Sequence, residues 1–302
     1  MAGTRMSEPP RASIGIVGGT GLYDIDGFTG RREVRLRTPF GQPSSPFVLG
    51  TLEGRRVAFL ARHGRGHRLL PVEVPYRANI FAFKMLGVER IISVNSVGSL
   101  REEIRPRDFV LPGQFFDRAR RPCTFFGGGI VAHVSLGQPV CPELADILYE
   151  AATGLGLRAH RGGTYVCIDG PGFSTKAESL AYRAWGGDII GMTAATEAKL
   201  CREAEIHFAT LSLATDYDVW HETEEPVTVE LVLQNLAANI AGAKRIIRKA
   251  LAGLGEERST ACGCGSSLKN AIVTDPAAIP QAARRALEPL IGKYLPARRR
   301  TP

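Results

Sequence analysis

Two carboxylates, a cationic pair and a scatter of hydroxyls are the residues with chemistry to offer. Asp216 and Asp218 in "ATDYD" stand two positions apart, which on a strand puts both on one face. Such a pair can hold a metal or flank a glycosidic bond. It can also read a purine, donating to ring N7 when protonated or accepting from an exocyclic amine. No further converging ligands are recognisable for a metal. Arg62 and His63 in "ARHGRGH" bring positive charge and donors, and Arg suits bidentate contact with phosphate oxygens. Thr20, Ser174 and Thr193 add hydroxyls. Together these make a site for inorganic phosphate that needs no metal. Phe173 in "GPGFST" can stack on a base and Met192 in "GMT" can cover a ribose face, although both residue types are also common in cores.

These residues sit where strands should end. Ile14, Ile16 and Val17 form an apolar run broken by Gly18, Gly19 and Gly21, which reads as a buried strand entering a turn. A dinucleotide fingerprint would need a third glycine where Asp24 stands, and no Gly-x-x-x-x-Gly-Lys-Ser/Thr loop is present. What remains is a small nest of amides around Thr20, which suits an oxyanion. Further strands are expected at 57–62, 90–95, 108–112, 164–168, 188–193 and 206–220. Helices are expected at 75–87, from 142, at 176–186 and 194–205, and over 227–254. This alternation implies an α/β sheet covered on both faces. Strand after strand ends in unusual polar chemistry: "GGTG", "ARHGRGH", "NSVGS", "DGPGFST", "GMTAATE" and "ATDYD". Ligand sites in such sheets gather at strand ends, so the pattern points to one assembled pocket and to an enzyme. Residues 114–141 show no periodicity, and an aperiodic stretch of that length inside a compact domain is often functional.

The 302 residues suffice for one large α/β domain, and no repeat or linker divides them. Net charge is +8, but without a concentrated basic stripe or a reader module, so nucleic acid is not an expected partner. No apolar run is long enough to span a membrane. The segment "MAGTRMSEPPRA" lacks an apolar core, so residues 1–12 are expected to be a loose tail rather than a secretory signal, and the chain to be cytoplasmic. Cys123, Cys141, Cys167 and Cys201 read as thiols in a reducing compartment. Cys262 and Cys264 in "CGCG" could ligate a metal or form a strained redox pair. A zinc site needs about four ligands and the sequence offers no matching second cluster, so they are expected to be structural and no metal is expected.

The stretches "GIVGGTGLYD", "TPFGQPS", "ARHGRGH", "YRANIFAFK", "GSLREEIRPRDFVLPGQFFDR", "GPGFSTKAES", "GMTAATEAKL" and "SLATDYDVWHETEEPV", in this order, resemble the trimeric purine nucleoside phosphorylases, in particular the branch that cleaves methylthioadenosine. The likeness runs over about 14–275. It implies a single nucleoside phosphorylase domain over 13–295, with a twisted mixed sheet surrounded by helices, assembled as a trimer or a dimer of trimers. It implies phosphate-dependent cleavage of 5'-methylthioadenosine to adenine and 5-methylthioribose 1-phosphate, phosphate being a co-substrate and no cofactor being required. On this likeness Thr20, Arg62, His63, Ser96, Ser174 and Thr193 contact phosphate, and His63 and Asp216 are catalytic. Asn95 and Met192 hold ribose. Phe173, Asp216 and Asp218 form the base site. Val229 and Val232 line the apolar 5' end, closed by His133 from a neighbouring subunit. Gly172, Asn95 and Gly191 depart from the family pattern, and Asn95 leans towards relatives acting on 6-oxopurines. The alternative substrates are therefore methylthioinosine or 6-oxopurine nucleosides. "CGCGSSLKNAIVTD" resembles a C-terminal "CPCG" segment of the family and is expected to be structural.

Overall fold

A computed structural model describes residues 11–19, 21, 22, 24–221, 229–255 and 261–296, with no side-chain description at 229, 231 and 232. The expected tail lies outside these as far as residue 10.

In chain order the elements are β1 (Ile14–Gly18), β2 (Thr29–Val34), β3 (Phe47–Leu52), β4 (Arg55–Ala61), α1 (Tyr76–Met85), β5 (Arg90–Ser99), β6 (Phe109–Leu111), β7 (Gln114–Asp117), α2 (Pro142–Thr153), β8 (Ala159–Arg161), β9 (Thr164–Cys167), α3 (Lys176–Ala184), β10 (Ile189–Gly191), α4 (Ala194–Glu203), β11 (His207–Asp216), α5 (Val229–Gly253), α6 (Gln281–Ala286) and α7 (Glu288–Ile291). The expected strands and helices are present. The expectation missed β2, β3 and β8 and the short helices after α5. It also missed β7, at the start of the stretch read as aperiodic. β2 reads TGRREV and faces solvent along most of its length, so it carries no apolar alternation to betray it.

The strands form one mixed sheet, so the fold is a single mixed α/β domain. β1 runs parallel to β4 and β5, and β11 runs parallel to β5 along its length. These strands are buried nearly throughout because helices cover both faces. One core packs α1 and α4 against the sheet, and the other packs α2 and α5.

The sheet forks at β5. β1 pairs with Arg90–Ser93, whereas β10 pairs antiparallel with Gly98 and Ser99. Between these two partners Val94–Val97 pair with neither, while their other edge stays on β11. β9 runs parallel to β10 and therefore also opposes β5. The carboxyl ends of β1 and β4 thus meet those of β9 and β10 head to head across the gap.

Candidate active site

The gap holds a cavity of about 270 Å³. Arg62 and His63 follow directly on β4, and the Arg62 N–H extends the ladder to the Gly18 carbonyl at 3.0 Å. Asn95, Ser96 and Gly98 come from the unpaired stretch and end of β5. Phe173 and Ser174 come from the loop after β9, Met192 and Thr193 from the turn after β10, and Asp216 from the end of β11. All of them line this one cavity, with Asp218. The sequence expectation placed Asp216 and Asp218 on one face of a strand. Instead β11 ends at Asp216, and Asp218 stands beyond it with φ 53°. The turn brings the two together, with the Asp218 N–H donating to Asp216 Oδ1 at 2.9 Å. A register shift in β11 between Ala214 and Asp216 re-aims the Asp216 side chain. Glycine is needed opposite, since a Cβ on Gly98 would stand 2.8 Å from Asp216 Oδ1.

The electrostatics divide the cavity. Arg62 is 1% exposed and is held by Glu197, Nε to Oε1 at 2.6 Å and Nη2 to Oε2 at 3.1 Å. Nη2 also donates to Ser93 Oγ at 2.7 Å and Nη1 to the Val94 carbonyl at 2.9 Å. Burial works against this charge, and Glu197 more than offsets it, so the group stays above its ordinary value. The guanidinium is therefore a neutralised wall with one Nη1 proton to spare, rather than the open bidentate fork expected from sequence. His63 stacks on His67 at 4.3 Å, and its Nδ1 lies 2.9 Å from the Leu69 carbonyl, so Nδ1 carries the ring proton. Burial, then the Arg62 charge, lower its pKa to about 4, leaving Nε2 a neutral acceptor.

At the other end burial raises Asp216, with Thr215 and the Asp218 N–H opposing. Thr215 Oγ1 lies 2.6 Å from Asp216 Oδ2 and 3.2 Å from the Val97 carbonyl, so it can accept an Asp216 proton while donating to Val97. Burial also pushes Asp218 up to about 6, with the Asp216 charge adding to the shift. The Ser174 and Ser179 hydroxyls face Asp218 and lower it without completing a hydrogen bond. Two carboxyls this close titrate as a pair.

Asn95 Nδ2 donates to Thr210 Oγ1 at 2.7 Å, which leaves its Oδ1 free. Asn95 Oδ1, Ser174 Oγ, Thr193 Oγ1 and Asp218 Oδ2 are buried without partners, and all four belong to cavity-lining residues. Buried polar groups without partners are costly, so these atoms mark where a ligand's polar groups belong. Phe173 is 48% exposed and is therefore no core residue. Thr193 is the residue before α4, whose N-terminal amides favour an anion.

Thr20 lies outside the described residues, as do the side chains of Val229 and Val232. His133 is exposed and is not among the residues lining this cavity. Sequence reasoning missed Leu233, Leu236 and Ile240, which give the cavity an apolar wall from α5. Their i, i+3, i+7 spacing was the available signal. It also missed Arg121, in the aperiodic segment. Arg121 donates to the carbonyls of Pro71 (2.9 Å), Ile168 (3.0 Å) and Met192 (2.8 Å), all three from cavity-lining residues.

A mixed sheet with an anion-friendly end, a protonatable carboxyl pair and an apolar wall defines an enzyme of the nucleoside-cleaving α/β class. The chain belongs to the Phosphorylase superfamily, whose family model matches residues 13–252. It is 55% identical over 285 residues to the S-methyl-5'-thioadenosine phosphorylase of Koribacter versatilis, covering 94% of this chain and 97% of that protein. It is 53% identical over 284 residues to the protein of the same name from Geobacter sulfurreducens, covering 93% and 99%. Among solved structures, a methylthioadenosine phosphorylase sourced from an antarctic soil metagenomic library matches with TM-score 0.88 and 48% identity, covering 93% of this chain and 99% of that one. Methylthioadenosine phosphorylase from Schistosoma mansoni in complex with adenine matches with TM-score 0.81 and 34% identity, covering 85% and 98%.

Proposed function

We propose that this chain catalyses phosphorolysis of 5'-methylthioadenosine. Phosphate attacks C1', the C1'–N9 bond breaks, and adenine and 5-methylthioribose 1-phosphate leave. The observation that carries this reading is the convergence of four unpartnered buried polar atoms and a carboxyl pair on one cavity. The substrate is that of the relatives, which are methylthioadenosine phosphorylases.

Phosphate is held by Thr20, Arg62, His63, Ser96, Ser174 and Thr193, with α4 contributing its N-terminal amides. His63 Nε2, a neutral acceptor with its pKa lowered to about 4, takes a hydrogen bond from a phosphate hydroxyl and so orients the anion without removing its proton. As the glycosidic bond loosens, the ribosyl group gains oxocarbenium character, and the phosphate anion stabilises it. Asn95 Oδ1 accepts from a ribose hydroxyl and Met192 packs on the sugar. The purine stacks on Phe173. Asp216, whose carboxyl burial shifts towards the protonated form, delivers a proton to N7 with Asp218 beside it, so the base leaves neutral. The methylthio group meets Val229, Val232, Leu233, Leu236 and Ile240. His133 reaches that end from a neighbouring subunit of a trimer, alone or paired into a dimer of trimers. The reaction balances with phosphate as co-substrate and without a cofactor or metal. Among the described residues no helix is long and apolar enough to cross a membrane, and the six free cysteines suit the cytoplasm.

The test is base release from methylthioadenosine, methylthioinosine, adenosine and inosine in parallel, with and without phosphate. Methylthioadenosine should lead, and only with phosphate. Asp216→Asn should lose about 10²–10⁴-fold in kcat, the range of general acid catalysis. Release without phosphate, or a lead for the 6-oxopurines, would overturn the reading.

A further inference from the structure

The cysteine pair at 262 and 264 lacks ligand partners in the sequence, but the fold supplies them. Cys141 stands just before α2, and His207 opens β11. Both reach the C-terminal segment that carries Cys262 and Cys264. His207 Nδ1 lies 3.3 Å from Cys141 Sγ and 3.3 Å from Cys262 Sγ. The three sulfurs and a nitrogen of His207 lie within 4.8 Å of one another. We propose that Cys141, His207, Cys262 and Cys264 bind one zinc ion in a closed tetrahedral site.

The geometry and the donor chemistry agree. Zinc takes thiolates at about 2.3 Å and imidazole nitrogen at about 2.0–2.1 Å, which sets neighbouring ligand atoms ~3.5–3.8 Å apart. The spacings seen here need adjustments only of side-chain size to reach that tetrahedron. Three thiolates and an imidazole are a soft set suited to zinc. Cys141, His207 and Cys264 are buried, and Cys262 is half-buried, so no open coordination position faces solvent or substrate. Three thiolates on a divalent ion leave one net negative charge. Arg202 Nη1 donates to Cys264 Sγ at 3.4 Å and offsets it. None of the four ligands lines the candidate active-site cavity, so the ion would staple rather than catalyse. It would join the C-terminal segment to α2 and to the start of the strand that ends at Asp216.

The experiment uses the full chain purified under reductant with zinc and then desalted. Elemental analysis should find one zinc per chain. Cobalt(II) added anaerobically to zinc-stripped protein should give intense thiolate charge-transfer bands with tetrahedral d–d absorption. Cys262→Ser, at the half-buried ligand, should lose the metal by at least tenfold in occupancy. A chelator should lower the melting temperature of the wild type and leave that of Cys262→Ser unmoved. Reduced wild type without zinc or cobalt absorption would overturn the proposal, as would full zinc occupancy in Cys262→Ser. A disulfide among Cys141, Cys262 and Cys264 in chain freshly purified from a reducing cytoplasm, found by intact mass after alkylation, would also overturn it.

Discussion

Replacing Glu197 by Gln tests how the anion end of the cavity is built. The substitution keeps the shape and one acceptor for Arg62 Nε. It removes the countercharge from a guanidinium whose side chain is 2% exposed. It also turns the atom 3.1 Å from Arg62 Nη2 from an acceptor into an amide donor, and that same atom now accepts from Ser93 Oγ at 2.7 Å. Breaking a buried ion pair on one side costs about 3–5 kcal/mol, because the remaining charge stays buried without compensation. Against a total of about 5–15 kcal/mol for a domain, that is roughly a fifth or more of the stability. At about 2–4 °C for each kcal/mol, the melting temperature should fall by ~6–20 °C.

Phosphate should then act in opposition. With Glu197 neutralised, the freed Arg62 charge faces the anion site, and phosphate should bind about tenfold tighter, ~1.4 kcal/mol. Thermal melts across a phosphate series, with calorimetric titration, read both quantities. Arg62→Met combined with Glu197→Gln should recover only part of the lost stability, because the Val94 and Val17 carbonyls lose their donors, and it should weaken phosphate binding. A Glu197→Gln chain that melts within a degree or two of wild type would refute the buried pair as a stabilising element. A variant that melts early but binds phosphate no tighter would refute Arg62 as part of the anion site.

Asp218→Asn should change the pH dependence of stability. The folded carboxyl sits at about 6 against an ordinary 3.8, so its contribution is present below pH 3.8 and lost as pH rises through 6. The variant should be the more stable chain above pH 6, by at most about 3 kcal/mol, in urea melts at pH 4 and pH 8. Gly191→Ala would drive a Cβ into the hydroxyl of the fully buried Tyr165. It should cost about 1–3 kcal/mol and lower activity through the adjoining Met192, with partial recovery on adding Tyr165→Phe, measured as a double-mutant cycle. Arg121→Met strands the carbonyls of Pro71, Ile168 and Met192. It should cost about 3–5 kcal/mol and raise KM more than it lowers kcat, with Arg121→Lys recovering only part, because one ammonium cannot span three walls.

The long strands were legible from their apolar runs, such as Ile91 and Ile92 in β5, and α1 because Pro75 and Gly87 bracket it. The fork was not legible. β9 and β10 have four and three residues, and nothing in runs that short states whether they lie parallel or antiparallel to β5. Yet that reversal is what brings Met192 and Thr193 to face Arg62 and His63. The identities of Arg62, Thr193 and Asp216 as cavity residues were legible from their places at strand ends. The state of Arg62 was not, since Glu197 is 135 positions away. The same limit hid the zinc candidate: Cys262 and Cys264 were visible, but Cys141 and His207 join them only through folding. The α5 wall carried a readable helical spacing. Val229 and Val232 were placed on it by resemblance, and Leu233, Leu236 and Ile240 of the same helix line the cavity.

The fork also explains why fold and site share residues. Interrupting a ladder inside a sheet creates backbone groups whose partners must come from elsewhere. Here Arg62 supplies Nη1 to the Val94 carbonyl and Nη2 to the Val17 carbonyl at 3.4 Å. Thr215 Oγ1 supplies the Val97 carbonyl from the far side. The side chains that mend the sheet are thus the ones that wall the cavity, Arg62 at one end and the Thr215–Asp216 pair at the other. A substitution at either end must therefore register in the melt as well as in the assay. A purely catalytic phenotype at Arg62, with stability intact, would mean that the backbone gap is closed by something other than its guanidinium.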